Sequence, residues 1–123
     1  MKSTILIPIL LLCYACGDPD SNKDLGHYIV ETEVQVKEGH IQDVLKLFSS
    51  TNPELVAGES DWVKATLSVV EKKDIIIVRA YWKDKLSYLK FSSTDAFRNT
   101  MKEFSQHFES RPKVTISKVL FAM

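Results

Sequence analysis

The sequence predicts an α+β fold in which two main helices cover one face of a four-stranded antiparallel sheet. Four segments alternate apolar and polar residues with the period of two that marks a half-buried strand. Two further segments repeat apolar residues at helical spacing, so each helix has one apolar stripe to bury. The segments follow the order strand, helix, strand, strand, helix, strand. This order is a ferredoxin-like βαββαβ plan.

The first strand and the first helix follow from the apolar pattern. Residues 28–37 alternate, with valines at every second position of the later part, and Gly39 ends the strand. Apolar residues then recur at helical spacing from Ile41 to Phe48. Because proline disfavours a helical conformation in the residue before it, the sequence TNP at residues 51–53 predicts the end of this helix. A loop is expected from there to Asp61.

The middle of the chain predicts a β-hairpin. Residues 63–69 alternate in a second strand, and the polar residues 71–74 form a short connection. The third strand, residues 75–82, therefore pairs back on the second. Its first four residues, IIIV, are apolar on both faces of the strand. This pattern is typical of a central strand that is covered on both sides.

The last third of the chain predicts a short helix, a longer helix and a final strand. Residues 84–91 form the short helix, and Ser93 or Thr94 can cap the next one. An apolar stripe runs along that longer helix at Phe97, Met101, Phe104 and Phe108. Pro112 ends the segment, and residues 114–120 alternate in the fourth strand.

The N-terminus predicts where the protein is found. Residues 1–15 have a basic start, an apolar stretch and a small residue at the end, and Cys16 follows. The segment resembles a bacterial lipoprotein signal peptide, which implies that Cys16 is lipidated and that the protein is anchored to a membrane of the cell envelope. Residues 16–26 are polar and form the tether, and residues 27–123 form one domain. An uncut membrane-spanning anchor is disfavoured because a spanning helix needs about 20 apolar residues.

Charge and cysteine content exclude several function classes. Sixteen basic and sixteen acidic residues balance one another, and no block of like charge stands out. A nucleic-acid binder needs a basic face, so no nucleic-acid partner is expected. Both cysteines, Cys13 and Cys16, lie in the signal region. The predicted domain therefore has no thiol for a disulfide, a thiolate metal site or a cysteine nucleophile.

The segment WKDKLSYLKF, residues 82–91, resembles the antibiotic biosynthesis monooxygenase (ABM) domain. A strand ends in Trp, a charged helix start follows, and then come a serine-rich break and a phenylalanine-bearing helix. The resemblance covers roughly residues 28–121 and includes the VKEG sequence at residues 36–39. It implies a ferredoxin-like fold whose sheets pair into a dimeric α/β barrel. A homodimer is therefore expected.

The same resemblance implies a chemistry and a set of site residues. Some members oxidise polycyclic phenols with molecular oxygen and no cofactor, using an Asn, a Trp and a Tyr. By position Trp82 matches the Trp and Tyr88 matches the Tyr, whereas Val78 stands in place of the Asn. Phe91, Val78 and Met101 are the expected substrate-binding residues. The implied function is an envelope-anchored, cofactor-independent monooxygenase that acts on an aromatic or quinol-like small molecule.

Haem-degrading members of the family use a different pattern, from which this chain departs. The corresponding positions are Thr32, Phe91 and Met101 in place of Asn, Trp and an axial His. His107 lies on the same predicted helix as Met101, but six residues further is about 240° around the helix. The sequence therefore predicts that His107 points elsewhere and that this chain does not degrade haem by that mechanism.

Simpler interpretations of these residues stay open at this point. Trp82 can be plain core packing, although a buried indole N–H still needs an acceptor. Tyr88 can be an amphipathic residue at the rim of a helix. The three histidines are far apart in sequence without metal-binding spacing, so they are expected at the surface, and only His107 is a candidate general base. No metal is expected. The alternative function is a non-catalytic dimeric module that binds a small molecule or assembles at the envelope.

Overall fold

The computed structural model describes residues 27–122 and confirms the α+β plan. Four strands form one antiparallel sheet in the order β2-β3-β1-β4, and three helices pack against it. The elements are β1 Tyr28–Gln35, α1 Ile41–Val56, β2 Trp62–Val69, β3 Ile75–Trp82, α2 Lys85–Ser92, α3 Asp95–Ser105 and β4 Lys113–Lys118. The signal peptide, Cys16 and the tether, predicted in residues 1–26, lie outside the described residues. Within residues 27–122, no helix has the length and apolar content needed to cross a membrane.

The two central strands, β1 and β3, pair over eight residues from Tyr28↔Trp82 to Gln35↔Ile75. Because side chains alternate along a strand, this register places every second residue of both strands on the face that the helices cover. Val30, Val34 and Ile76 are buried there. The opposite face carries Glu31 and Arg79, whose side chains form an ion pair of 2.9 Å between Oε1 and Nε.

Helix α1 is longer than predicted, because it passes through Pro53 and ends at Val56. The expected stop at residues 51–53 is therefore wrong. Pro53 and Ser49 are exposed, so water can reach the Ser49 carbonyl that lacks the usual N–H donor four residues on. The Thr51 hydroxyl donates to the Leu47 carbonyl, 2.7 Å away, a bond that bends helices without ending them. Burial of Val56 in the core favours the extra turn.

Helix α3 begins as predicted at a polar cap. The Thr94 side chain accepts a hydrogen bond from the Phe97 backbone N–H at 3.2 Å, which selects Thr94 over Ser93 as the cap. The predicted apolar stripe faces the sheet, with Phe104 buried and Phe97, Met101 and Phe108 packed against the buried residues. The hairpin between β2 and β3 turns at Lys72, which has a φ of 63°.

The hydrophobic core consists of two clusters rather than one. The first joins Val34, Val36, Val44, Ile76 and Phe104. The second joins Val30, Val56, Trp82 and Phe91. Both clusters lie between the helices and the same face of the sheet, at opposite ends of the β1–β3 pairing. The middle of that pairing, Thr32↔Val78, contributes no residue to either buried set.

Replacing Phe104 tests the first cluster. Phe104→Ala is expected to lower the free energy of unfolding by about 3–5 kcal/mol, because it removes a buried aromatic ring and leaves a cavity. Phe121→Ala is the matched control, since that ring is 79% exposed, and it should change stability by no more than about 0.5 kcal/mol. Urea unfolding followed by tryptophan fluorescence measures both. Equal losses in the two variants would contradict this account of the core.

Candidate functional site

A cavity of about 380 Å³ lies between the helices and the sheet. The pair Thr32 and Val78 from the central strands lines it, and residues of both core clusters form its ends. Small side chains such as Ala65 and Ala80 line the sheet side, while α1, α2 and α3 contribute the remaining walls. The lining is almost entirely apolar. Such a volume and lining are typical of a small-molecule site.

Trp82 is both a core residue and a wall of this cavity. It ends β3, has only 1% of its surface exposed, and packs its ring against Tyr88 and Phe91 with centroids 5.7 Å and 5.1 Å away. Core packing and a position in the cavity wall are therefore both true of Trp82. Its indole Nε1 is buried and has no hydrogen-bond partner among residues 27–122. An unpaired buried N–H costs free energy, so the position of this donor is an unsatisfied feature of the second core cluster.

Tyr88 lines the cavity from α2 and sits edge-on to Trp82. Burial raises the pKa of its phenol above the usual 10.0, and a hydrogen bond with the Ser92 side chain offsets part of that increase. The phenol is therefore protonated at neutral pH and can donate a hydrogen bond. Helix α2 is held in place by the Ser87 hydroxyl, which donates to the Asp61 carboxylate just before β2.

The structure brings together all five residues that the sequence predicted for catalysis and substrate binding. Trp82, Tyr88, Phe91, Val78 and Met101 line the same cavity. Val78 contributes only an aliphatic surface where the family resemblance suggests an amide.

Thr32, Phe91 and Met101, the positions compared with the haem-degrading pattern, also line the cavity. His107 is not among the lining residues. It does not lie on the helix of Met101 as predicted, because α3 ends at Ser105.

Sequence reasoning missed the polar residues that α1 and α3 contribute. Thr51 and Asn52 line the cavity from α1, and Thr100 lines it from α3. The expected helix stop at residues 51–53 hid the first two. A helical pattern continued through Pro53 would have placed Thr51 and Asn52 on the inner face of α1. The spacing that puts residues on one helix face is shared by four of its residues: Phe48, Thr51, Asn52 and Leu55.

The sequence suggested that the three histidines are separate surface residues, and for two of them this prediction is wrong. His40 and His107 are half-buried, and their Nδ1 atoms lie 3.0 Å apart. They are 67 positions apart in the chain, so no local spacing could reveal the contact. His27 is exposed and stands apart at the start of β1.

Comparison with known proteins gives the family. The sequence profile described as antibiotic biosynthesis monooxygenase matches residues 27–103, more than half of the chain. The chain belongs to the ABM family. The match covers β1 to α3 and so includes every element that lines the cavity except β4. No curated protein matches the ABM chain.

Solved structures share the fold of this ABM protein at low sequence identity. A conserved protein from Methanosarcina mazei Go1 is 19% identical with a TM-score of 0.67, covering 79% of this chain and 96% of that one. A mutant of SnoaB, described as a cofactor-independent oxygenase from Streptomyces nogalater, is 13% identical with a TM-score of 0.68, covering 79% and 96%. A protein of unknown function from Nitrosomonas europaea is 14% identical with a TM-score of 0.66, covering 81% and 95%. These likenesses establish the fold.

Titration of Tyr88 tests the environment of the cavity. Since burial raises the folded-state pKa, the highest-pH phenolate transition seen by ultraviolet absorbance should lie above 10.0 and disappear in Tyr88→Phe. The neutral phenol favours the folded state, so its contribution to stability is full below pH 10.0 and is lost as the pH rises through the folded-state pKa. Tyr81→Phe, which removes a phenol from the other face of β3, should retain the transition. A Tyr88 transition at or below 10.0 would contradict the buried position.

Proposed function

We propose that this ABM protein is a cofactor-independent monooxygenase that oxidises an aromatic, quinol-like molecule bound in the cavity. The observation that carries the proposal is an apolar cavity of about 380 Å³ lined by Trp82 and Tyr88, in which the Trp82 Nε1–H is buried and has no partner within residues 27–122. A polycyclic phenol is apolar over most of its surface and carries an oxygen that accepts a hydrogen bond. The cavity offers surroundings of the same character.

The proposed reaction needs an electron-rich substrate and molecular oxygen. A CH₂ group activated by a neighbouring phenol or carbonyl is oxidised to C=O. One oxygen atom of O₂ enters the product and the other leaves as water with the two hydrogens. The substrate supplies all the electrons, so no external reductant enters the balance. Negative charge that develops on the substrate oxygen before it reacts with O₂ is the feature that a protein can stabilise.

Trp82 and Tyr88 are the proposed donors to that oxygen. The Trp82 N–H has no competing partner among the described residues, and the raised pKa of Tyr88 keeps its hydroxyl protonated. Hydrogen bonds of this kind are strongest where water is excluded, and a bound substrate packed against the apolar walls around Phe91 and Met101 would displace water from them. Val78 cannot act as a donor, and we assign the polar role at the opposite wall to the Asn52 amide.

A homodimer formed through the helix-free face of the sheet is part of the proposal. That face carries Ile29, Ile77 and Tyr81, all half-buried in the single chain, beside the Glu31–Arg79 ion pair. The apolar character of Ile75 and Ile77 on this face is the feature that a covering second sheet would explain. The alternative function is a dimer that binds a small molecule without turning it over, and the apolar cavity supports that function equally.

Oxygen uptake with a hydroxyanthrone, which carries the required CH₂ group, tests the proposed activity. Trp82→Phe keeps an aromatic ring but removes the donor, so kcat is expected to fall about 100-fold or more with a smaller change in KM. Trp62→Phe makes the same substitution at another residue of the wall. It should alter KM while largely preserving kcat, since the Trp62 indole is not an unpaired buried donor.

Three results would count against the oxygenase. Full oxygen uptake by Trp82→Phe would remove Trp82 from the mechanism. Oxygen uptake no faster than the uncatalysed rate with the hydroxyanthrone, together with a retained aromatic mass on a dimer in native mass spectrometry, would favour the non-catalytic binder. A monomer with no retained ligand would count against both functions.

Lipidation of Cys16 is the proposed route to the bacterial cell envelope. Cys16→Ser removes the only thiol at the predicted acylation position, so the protein should leave the membrane fraction and be recovered in the soluble one. Cys13→Ser is the matched control and should stay with the membrane. Retention of Cys16→Ser in washed membranes would show that another feature anchors the protein.

A further inference from the structure

A cluster of three possible metal ligands lies outside the cavity, where β1 passes into α1 and α3 ends. His40 Nδ1 and His107 Nδ1 are 3.0 Å apart, and His40 Nδ1 lies 3.9 Å from Asp43 Oδ2. One ligand atom from each residue lies within 4.8 Å of the others. None of the three side chains lines the cavity. This cluster is therefore separate from the proposed oxygenase site.

The backbone holds the two histidines in fixed relation to each other. The Lys37 N–H donates to the His107 carbonyl at 2.8 Å, and the His40 N–H donates to the Lys37 carbonyl at 3.0 Å. An isolated antiparallel β-bridge between Val36 and Phe108 joins the same two segments one residue away. Gly39, with a φ of 81°, makes the turn that brings His40 back over this segment. Asp43 follows one turn later on α1, so its position relative to His40 is set by the helix.

We propose that His40, His107 and Asp43 form a binding site for a divalent transition-metal ion of the Zn²⁺ type. Zinc bonds to imidazole nitrogens at about 2.0–2.1 Å, and tetrahedral geometry then separates two ligand nitrogens by about 3.3 Å. The Nδ1 atoms are already within a few tenths of an ångström of that separation. Two imidazoles and one carboxylate leave the fourth position for water, which makes the site open rather than closed.

The geometry of the histidine pair favours a shared cation over two independent side chains. Two Nδ1 atoms at 3.0 Å form one hydrogen bond, in which one ring nitrogen donates and the other accepts. A metal ion accepts the lone pairs of both nitrogens at once, and the Asp43 carboxylate neutralises part of its charge. Imidazole and carboxylate together suit zinc and its neighbours better than magnesium or calcium, which prefer oxygen ligands.

Zinc titration of the full-length chain tests the site. The chain is purified in detergent and freed of metal with a chelator, and any free thiol that remains at Cys13 or Cys16 is alkylated so that thiolates do not compete. Calorimetry should show one Zn²⁺ per chain. His40→Gln and His107→Gln should each weaken binding by about tenfold or more, and Asp43→Asn should weaken it less because an amide oxygen remains. His27→Gln is the matched control and should bind like the unaltered chain.

A second measurement keeps the proposal open to refutation if a histidine variant does not fold. Nitrogen-15 NMR of the histidine rings in the unaltered chain should show zinc-dependent shifts at Nδ1 of His40 and His107 and none at His27. Binding of no Zn²⁺ would reduce the cluster to a hydrogen-bonded histidine pair and overturn the proposal. Shifts at His27 alone, or unchanged zinc affinity in both His40→Gln and His107→Gln, would overturn it as well.

Discussion

The eight-residue pairing between β1 and β3 is the constraint on which the rest of the structure depends. Because side chains alternate along a strand, a shift of β1 by one residue would move Val30 and Val34 from the helix-covered face to the opposite face. The observed register aligns the inward-facing residues of β1 with those of β3. One core cluster lies at each end of this pairing. It also places the Glu31–Arg79 ion pair on the helix-free face, where its charges remain partly solvated.

The cavity follows from how side-chain volume is distributed along that register. Large rings such as Trp82, Phe91 and Phe104 fill the two ends, whereas Thr32 and Val78 occupy the middle. Helices α1 and α3 span both clusters and cannot move closer to the sheet over the middle without displacing these rings. A partly open cavity is the result, and the Trp82 indole N–H beside it has no partner within residues 27–122. An apolar cavity of this size is typical of a small-molecule site.

The histidine cluster depends on a different part of the fold. A connection of a few residues from β1 to α1 brings His40 beside the end of α3, and backbone hydrogen bonds through Lys37 fix both histidines. No residue of this connection lines the cavity. The proposed small-molecule site and the proposed cation site therefore do not compete for the same atoms.

The sequence by itself determined most of the elements, their order and the face that residues in periodic patterns occupy. Local alternation and helical spacing place Trp82, Val78 and Met101 on inward faces, whereas the family resemblance indicated them as site residues. The tertiary structure decided where α1 ends, since burial of Val56 outweighs the local effect of Pro53, and it thereby brought Asn52 to the cavity. It also decided the contact between His40 and His107. Contacts across 67 positions depend on strand order and register, which no local pattern in the sequence contains.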